Sequence, residues 1–264
     1  MSRKIRIGAL ISGGGTNLQA IIDSCESGKI DGEMVFVGTD NPSAAGLKRA
    51  ETHRIPSFIV DYADIIRTVN HHPDQAKIPS DFDMDELLQK QSVFPGKDNP
   101  EKVKKFLISR VVAESGLLEK MKGFDFDLIV LAGFLRNLTP YFIDRVNTDR
   151  GLPKIMNIHP ALLPAFPGKD GYGDTFRYGC KVGGCTVHFI DYGEDSGPII
   201  GQKTFPIEPG DTLDSIKKKG LEKEWELYPE CIQLYAENRL HVERAIFSVG
   251  NGRTYQRSIV TIRE

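Results

Sequence analysis

Short apolar segments alternate with stretches of helical periodicity along the first half of the chain. Residues 4–11 are mostly apolar, and after them Leu18, Ile21 and Ile22 recur at three- and four-residue spacing. Similar units follow, with predicted strands at 33–40, 57–60 and 127–132 and predicted helices at 44–53 and 103–121. Apolar strands that alternate with amphipathic helices are typical of a parallel sheet with both faces covered. The pattern therefore predicts an α/β fold with a doubly wound, mostly parallel, Rossmann-like sheet.

The C-terminal half has a different pattern. Residues 184–191 alternate with period two, and after a glycine-rich turn residues 199–206 have the composition of a return strand. These two strands predict an antiparallel addition to the sheet. Residues 211–240 are mostly helical in pattern, with Pro229 expected to kink the helix. The last residues, about 241–264, predict a hairpin tail with an Asn-Gly turn, and we expect the whole chain of 264 residues to form a single domain.

A stretch at about 61–99 interrupts the alternation of strands and helices. It contains several prolines and an acidic cluster at 81–86, which predicts an irregular insertion with about one helical turn. Insertions of this length often serve as lids or binding loops. His71 and His72 are neighbours without helical spacing, so we predict solvated side chains and no metal site there.

Composition and charge place the chain among ordinary globular proteins. Hydrophobic residues make up 40% and charged residues 27%, with a formal net charge of −2, which gives no indication of binding to nucleic acid or to an anionic membrane. No apolar run approaches the roughly 18 residues of a membrane span, and Met1 leads almost directly into a strand rather than a signal peptide. The four cysteines form no Cys-x-x-Cys pair. We expect a cytoplasmic protein with reduced thiols, either a monomer or a homodimer.

The first strand ends in a glycine-rich turn, Ser-Gly-Gly-Gly-Thr-Asn at residues 12–17, with Thr16 or Asn17 placed to cap the next helix. A strand, a glycine turn and a helix together point free backbone N–H groups at an anion. The Lys-Ser/Thr of a P-loop is absent, and Leu18 stands where the dinucleotide fingerprint has its third glycine. This favours a site for a single phosphate, with Asp40 as a turn residue rather than a ribose ligand. The alternative is a tight turn without a ligand.

The segment at 154–168 combines an amide, an imidazole and three prolines. Asn157 and His159 are two residues apart, so in an extended strand their side chains point the same way. A fixed donor and a titratable group beside a stiff loop suit acyl or formyl transfer. Asp195, in a glycine-rich turn, can sit close to His159 and set its tautomer and charge. A strand end with a capping Asn and a solvated His is the alternative, and His188 is more simply explained as a satisfied strand histidine.

Two further regions are candidates for ligand contact. The loop after the strand at 127–132 carries Leu135, Arg136 and Leu138 at the edge where open α/β sheets bind ligands, where they could line a pocket for a flat heterocycle. The alternative is that its apolar residues belong to the core. Glu224, one turn before Pro229, is a candidate to project into the site, and we predict that Lys217, Lys218 and Lys219 form a solvated helix face.

Four motifs occur in an order that resembles a known family. They are Ile-Ser-Gly-Gly-Gly-Thr-Asn-Leu-Gln-Ala-Ile-Ile at 11–22, Leu-Ala-Gly-Phe-Leu-Arg at 131–136, Asn-Ile-His-Pro-Ala-Leu-Leu-Pro at 157–164 and Asp-Ser-Gly-Pro-Ile-Ile at 195–200. Together they resemble the phosphoribosylglycinamide formyltransferases (GAR transformylases) of purine biosynthesis, over roughly 4–60 and 100–240. The resemblance implies the formyltransferase fold and transfer of a formyl group from the co-substrate 10-formyltetrahydrofolate to the amine of glycinamide ribonucleotide. It implies small-molecule substrates and no metal.

The resemblance also implies a role for each candidate residue. Asn157 would donate to the formyl oxygen as it becomes an oxyanion, His159 would stabilise that charge and handle a proton, and Asp195 would position a water for proton relay. The phosphate loop corresponds to Gly14, Gly15, Thr16 and Asn17, the ribose-binding glutamate to Glu224, and the pterin pocket to Leu135, Arg136 and Leu138.

The chain departs from the family pattern in two places. Residues 169–174 lack the histidine that usually follows the Pro-Gly of the active-site loop, and the insertion at about 61–99 is longer than the usual connection. The closest alternative is formyltetrahydrofolate deformylase, a hydrolase with the same triad that usually carries an additional N-terminal domain. Methionyl-tRNA formyltransferase would be expected to bring a basic C-terminal domain. A non-catalytic nucleotide-binding module and a nicotinamide-dependent dehydrogenase are the remaining alternatives.

Overall fold

The computed structural model describes residues 3–94, 99–148 and 151–264. Its strands are β1 Ile5–Ile11, β2 Gly32–Thr39, β3 Ser57–Ile59, β4 Leu128–Leu131, β5 Ile155–His159, β6 Val182–Phe189, β7 Ile199–Pro206, β8 Leu240–Ser248 and β9 Thr254–Ile262. Its helices are α1 Thr16–Glu26, α2 Gly46–Thr52, α3 Tyr62–His71, α4 Met84–Lys90, α5 Pro100–Met121, α6 Pro140–Val146, α7 Gly171–Arg177 and α8 Leu213–Ala236, and a 3₁₀ turn covers Pro73–Gln75.

The main sheet has seven strands among the described residues, in the order β3-β2-β1-β4-β5-β6-β7. The pairings from β3 to β5 are parallel, while β6 pairs antiparallel with β5 and with β7. The predicted doubly wound, mostly parallel sheet with an antiparallel addition in the C-terminal half is therefore confirmed. Strands β8 and β9 form a separate antiparallel pair.

Both faces of the main sheet are covered by apolar layers. On one face Leu18 of α1 and Tyr228 of α8 are fully buried, and on the other Phe36, Leu117 and Phe142 are fully buried. Burying a large apolar side chain contributes about 1.5–3 kcal/mol, so both faces are committed to packing. The ends of the strands are therefore the part of the sheet that is left for ligands.

The insertion is more regular than the sequence pattern predicts. Instead of about one helical turn, it contains α3, the 3₁₀ turn and α4. The acidic residues interpreted as loop composition are helix caps, because the Asp61 carboxylate accepts from Asp64 N and the Asp83 carboxylate accepts from Asp85 N and Glu86 N. Residues 95–98, the Pro-Gly-Lys-Asp part of the predicted insertion, lie outside the described residues.

The C-terminal region contains a continuous helix and a long hairpin. Helix α8 runs from Leu213 to Ala236 and includes Pro229, where the sequence predicts a kink. Strands β8 and β9 pair from Leu240 with Ile262 to Ser248 with Thr254, and this hairpin covers nearly the same residues as the predicted hairpin tail at about 241–264. Within the described residues, no helix combines the length and the apolar character that crossing a membrane requires.

A buried carboxyl joins α5 to the start of α6. Glu114 accepts hydrogen bonds from Thr139 N at 2.7 Å and from Thr139 Oγ1 at 2.5 Å. The hydroxyl of Thr139 in turn accepts from Tyr141 N and caps α6. Desolvation by burial raises the pKa of Glu114 from 4.5 to about 8, so its carboxyl keeps a proton at pH values where an exposed glutamate is ionised.

This raised pKa predicts a pH dependence of stability. Between 4.5 and about 8 the folded chain holds the Glu114 proton and the unfolded chain does not, so the free energy of unfolding should fall as pH rises through this window. Glu114→Gln should flatten that part of the profile because an amide does not titrate, while it can still accept from Thr139 N and donate to Thr139 Oγ1. Urea unfolding at several pH values measures this, with Glu119→Gln on the exposed face of α5 as the control. An unchanged slope in Glu114→Gln would assign the pH dependence to another group.

Candidate active site

The carboxyl ends of β1, β4 and β5 meet at one edge of the sheet and open into a cavity. The cavity has a volume of about 550 Å³ and is lined by the glycine loop after β1, by the loop after β4 and by the segment after β5. Strand β1 lies between β2 and β4, so the chain leaves β1 and β4 in opposite directions along the sheet. A crevice at such a point is where open α/β sheets bind ligands.

His159 and Asp195 lie side by side in this cavity. His159 ends β5 and is 2% exposed, and its Nδ1 lies 3.2 Å from Asp195 Oδ2. Its Nε2 lies 2.8 Å from the carbonyl oxygen of Phe166. Both ring nitrogens therefore face oxygen acceptors, an arrangement that suits a doubly protonated imidazolium. Asp195 Oδ2 also accepts from Gly168 N at 2.7 Å, which ties the carboxylate to the active-site loop.

Asn157 is held by the neighbouring strand. It pairs in register with His188 of β6, and Asn157 Nδ2 lies 3.2 Å from His188 Nε2. The Nδ1 of His188 donates to the carbonyl oxygen of Phe189 at 3.0 Å, so the neutral ring accepts at Nε2 from Asn157. Burial lowers the pKa of His188 and so favours this neutral form. Asn157 also lines the cavity, and its amide carries a second N–H that can donate to a ligand.

His188 has a larger part in the site than the sequence predicts. It is a fully buried strand histidine, as expected, but its Nε2 lies 3.7 Å from Asp195 Oδ1 as well as next to Asn157. The unprotonated Nε2 of His188 thus orients the Asn157 amide and lies near the Asp195 carboxylate without donating to it. The alternation of the strand pattern puts His188 on one face of the sheet but gives no information about its partners.

The glycine loop begins α1 without a side-chain cap. The residue before α1 is Gly15 at φ 69°, and neither Thr16 nor Asn17 caps the helix, so the predicted cap is wrong. Glycine reaches this left-handed conformation without the penalty of a Cβ atom. The backbone N–H groups of the first turn consequently have no side-chain acceptor, and Gly14, Gly15, Thr16 and Asn17 all line the cavity.

Glu224 of α8 is the buried acceptor of this part of the site. Its Oε2 accepts from Asn17 Nδ2 at 2.6 Å and its Oε1 accepts from the hydroxyl of Tyr172 at 2.6 Å. Desolvation raises the pKa of Glu224, while the two donors act in the opposite direction. The structure thus brings together Asn17 and Glu224, which are separated by 207 positions, as the candidate assignments require.

Tyr172 is a site residue that sequence reasoning missed. It lies in α7, within the segment 169–174 that the sequence analysis expects to differ from the family pattern, and it lines the cavity. Gly220 of α8 gives it room, because a Cβ atom at Gly220 would lie 2.1 Å from the ring carbon Cζ of Tyr172. The run of three glycines and two aspartates around Tyr172 predicts a loop and gives no signal for this contact.

The loop after β4 presents its three candidate residues differently. Leu135 is 64% exposed and lines the cavity, whereas Leu138 lines the cavity and also belongs to the core. Arg136 lines the cavity but donates from Nε to Asp40, which is almost fully buried at the end of β2. Asp40 is therefore the ion-pair partner of a residue that lines the cavity. The sequence pattern, from which Asp40 is interpreted as a turn residue, does not predict this ion pair. The guanidinium of Arg136 also lies 5.5 Å from the centre of the Tyr62 ring.

The three lysines of α8 are not equivalent. Lys219 donates to Asp211 at 2.6 Å, whereas Lys217 lines the cavity together with Leu221 and Glu224 on the same helix face. Lys217 is exposed, as the predicted solvated face requires, but it also borders the cavity. No group of three or more His, Cys, Asp or Glu side chains suited to a metal ion occurs in the described ranges.

Comparisons with known proteins agree with this architecture. The model of the Formyl transferase family matches residues 5–232. The phosphoribosylglycinamide formyltransferase of Haemophilus influenzae is 32% identical over 238 residues, which cover 90% of this chain and 90% of that protein. The enzyme of the same name from Bacillus subtilis is 31% identical over 222 residues, covering 84% and 90%. The crystal structure of glycinamide ribonucleotide transformylase 1 from Symbiobacterium toebii matches with a TM-score of 0.73 at 32% identity, covering 100% of this chain and 96% of that one. The chain therefore belongs to the formyl transferase family.

Proposed function

We propose that the protein transfers a formyl group from 10-formyltetrahydrofolate to the amine of glycinamide ribonucleotide, a step of purine biosynthesis. The observation that carries this proposal is a single cavity lined by three kinds of groups: a glycine loop at a helix start, a loop with exposed Leu135, and the cluster of Asn157, His159 and Asp195. A phosphate, a flat pterin ring and a reacting carbonyl each need one of these linings. The names of the relatives support the same activity.

The nucleotide fits the part of the cavity that α1 and α8 line. Its phosphate would accept from the backbone N–H groups at the start of α1. The Glu224 carboxylate has lone pairs beyond the two that Asn17 and Tyr172 use, so it can also accept from a ribose hydroxyl. Asn17 Oδ1 is buried without a partner among the described residues, and a ligand hydroxyl or amide would satisfy it.

The reacting groups suit attack of an amine on a formyl carbon. As the new C–N bond forms, the formyl oxygen gains negative charge, and the free N–H of Asn157 and the imidazolium of His159 would stabilise it. For this, the hydrogen bond from His159 Nε2 to the Phe166 carbonyl oxygen would be replaced by one to the formyl oxygen. The amine loses a proton while the bond to N10 of the folate breaks and N10 gains a proton. Asp195, 3.2 Å from His159, would hold the imidazolium and a water that relays the proton.

The first test is release of tetrahydrofolate from 10-formyltetrahydrofolate, measured with and without glycinamide ribonucleotide. We expect release that requires the nucleotide and falls by about a thousandfold or more in His159→Ala and Asp195→Asn. Nucleotide binding by calorimetry should be largely intact in both variants, because its contacts are on α1 and α8.

The same assay separates the alternatives. Equal release without the nucleotide would identify a deformylase, in which water accepts the formyl group. Nucleotide binding without any release would identify a binding module. Wild-type rates in His159→Ala would remove the cluster from the mechanism.

The glycine loop generates a second prediction. Thr16→Ala combined with Asn17→Ala removes a hydroxyl and the amide that donates to Glu224. We expect the KM for the nucleotide to rise about tenfold or more with a smaller change in kcat, because these groups contact the substrate before and during the reaction alike. Steady-state kinetics measure it, and a KM for the folate within twofold of wild type serves as the internal control. A selective loss of kcat would contradict the assignment to nucleotide binding.

Lys217 and Lys218 provide a matched pair for a third prediction. Both are exposed, but only Lys217 lines the cavity. Lys217→Met should raise the KM for the nucleotide about five- to tenfold and reduce its dependence on salt, because a cation near the phosphate is lost. Lys218→Met removes the same charge outside the cavity and should stay within about twofold of wild type. Equal changes of KM in the two variants would mean that the nucleotide responds to the overall positive charge of α8 and not to the position of Lys217 in the cavity.

A further inference from the structure

The second half of the insertion reaches the turn that carries Asp195. The Asp195 turn is defined here as residues 191–197, and the insertion arm as residues 81–94. The N–H of Ser92 donates to the carbonyl oxygen of Tyr192 at 3.0 Å. The Ser92 hydroxyl is also so close to Gly193 that a Cβ atom there would lie 3.0 Å from it. The insertion arm therefore contacts the turn three residues before the carboxylate that pairs with His159.

A second link between the arm and the turn runs through α6. The hydroxyl of Tyr192 donates to Asp144 Oδ1 at 2.5 Å, and Lys90 at the end of α4 donates to Asp144 Oδ2 at 2.8 Å. Lys90 is itself held by Glu86 one turn earlier at 2.6 Å. Burial raises the pKa of Tyr192 to about 12, so its hydroxyl keeps its proton and continues to donate. The Asp144 carboxylate thus connects the Asp195 turn to the insertion arm.

The arm is anchored well enough to act as a support. Leu87 is buried in an apolar cluster with Val103 and Leu107 of α5. At its other end, Asp81 accepts from Arg145 of α6 at 2.7 Å and from the hydroxyl of Tyr141 at 3.2 Å. These contacts fix the arm to α5 and α6, which pack on the main sheet.

The turn needs support from outside because of its backbone. Asp195 has φ 49°, a left-handed conformation that few non-glycine residues adopt and that persists where the surroundings hold it. Within the turn, Asp191 Oδ1 accepts from Gly193 N and Ser196 Oγ, and these bonds shape the turn without attaching it to the rest of the molecule. A displacement of about 1 Å at a catalytic group can lower a rate about a hundredfold, so the position of the turn affects Asp195 directly.

We propose that the insertion arm and Asp144 position the catalytic turn, with Tyr192 and Lys90 as positioning residues that act on Asp195 from outside the cavity. This inference rests on the proposed function, since it assigns the insertion to the same reaction. Tyr192 does not line the cavity, so its effect must pass through the turn. The arm would influence the formyl-transfer step and leave the nucleotide contacts on α1 and α8 unchanged.

The test compares two tyrosine variants that each lose one hydroxyl hydrogen bond. Tyr192→Phe removes the bond to Asp144, and Tyr235→Phe removes a 3.0 Å bond to the carbonyl oxygen of Asp127 at the opposite edge of the sheet. Both should lower Tm by similar amounts. Only Tyr192→Phe should lower kcat, by about five- to tenfold, with the KM for the nucleotide within twofold of wild type. Equal kcat values in the two variants, or a loss confined to KM, would overturn the proposal.

A second comparison tests the role of the insertion arm in positioning the turn. Lys90→Met should lower kcat about two- to threefold, and the Lys90→Met, Tyr192→Phe double variant should lose less than the product of the two single losses, because both act through Asp144. Lys122→Met, which breaks an exposed ion pair with Glu119, is the control and should leave kcat unchanged. Independent, multiplicative losses would mean that Lys90 and Tyr192 do not share one path.

A readout without turnover keeps this inference separate from the proposed function. The imidazole resonances of His159, assigned with His159→Ala, should shift in Tyr192→Phe and not in Tyr235→Phe. If the wild-type protein transferred no formyl group while these resonances shifted, the proposed function would fail and the positioning of Asp195 would stand. Unshifted resonances together with normal formyl transfer by Tyr192→Phe would overturn the positioning alone.

Discussion

The site depends on the parallel pairing of β1 with β4. That pairing brings two strand ends that are more than a hundred residues apart to the same edge, while the chain leaves them in opposite directions. Two hydrogen bonds then join the loops across the crevice: Ser12 N donates to Gly133 O at 3.0 Å, and Leu135 N donates to Ser12 Oγ at 2.8 Å. A glycine loop for an anion and a loop with exposed apolar groups thereby become neighbouring walls of one cavity.

Buried polar pairs stabilise the walls of this cavity. Asn17 with Glu224 joins α1 to α8, and Asp40 with Arg136 joins the end of β2 to the loop after β4. Removing one partner of such a pair leaves the other unsatisfied, at a cost of about 1–3 kcal/mol and more for a charged group. These pairs hold the binding groups in place before a ligand arrives, so less of the binding free energy is lost to ordering.

Most of the sheet could be predicted from the sequence because its strands are buried on both faces and stand out as apolar segments between amphipathic helices. The candidate residues Asn157 and His159 could be paired because a strand alternates with period two. The helices of the insertion are harder to predict, because aspartates such as Asp61 and Asp83 are common both in loops and at helix N-caps. The partners of Asp40, His188 and Glu224 could not be predicted, because a polar side chain in a sequence gives no indication of which distant residue it meets.

Two segments that the sequence analysis expects to differ from the family pattern contact opposite parts of the candidate site. In the altered loop, Tyr172 donates to Glu224 and fills the space that Gly220 leaves, so the loop supports the proposed nucleotide site. In the long insertion, Ser92 and Lys90 reach the turn of Asp195, directly or through Asp144. The loop at 169–174 is thus attached to the Glu224 carboxylate, and the insertion is attached to the turn that carries the Asp195 carboxylate. Because both carboxylates are largely buried, each needs donors or supports from the protein, and the unusual segments supply them.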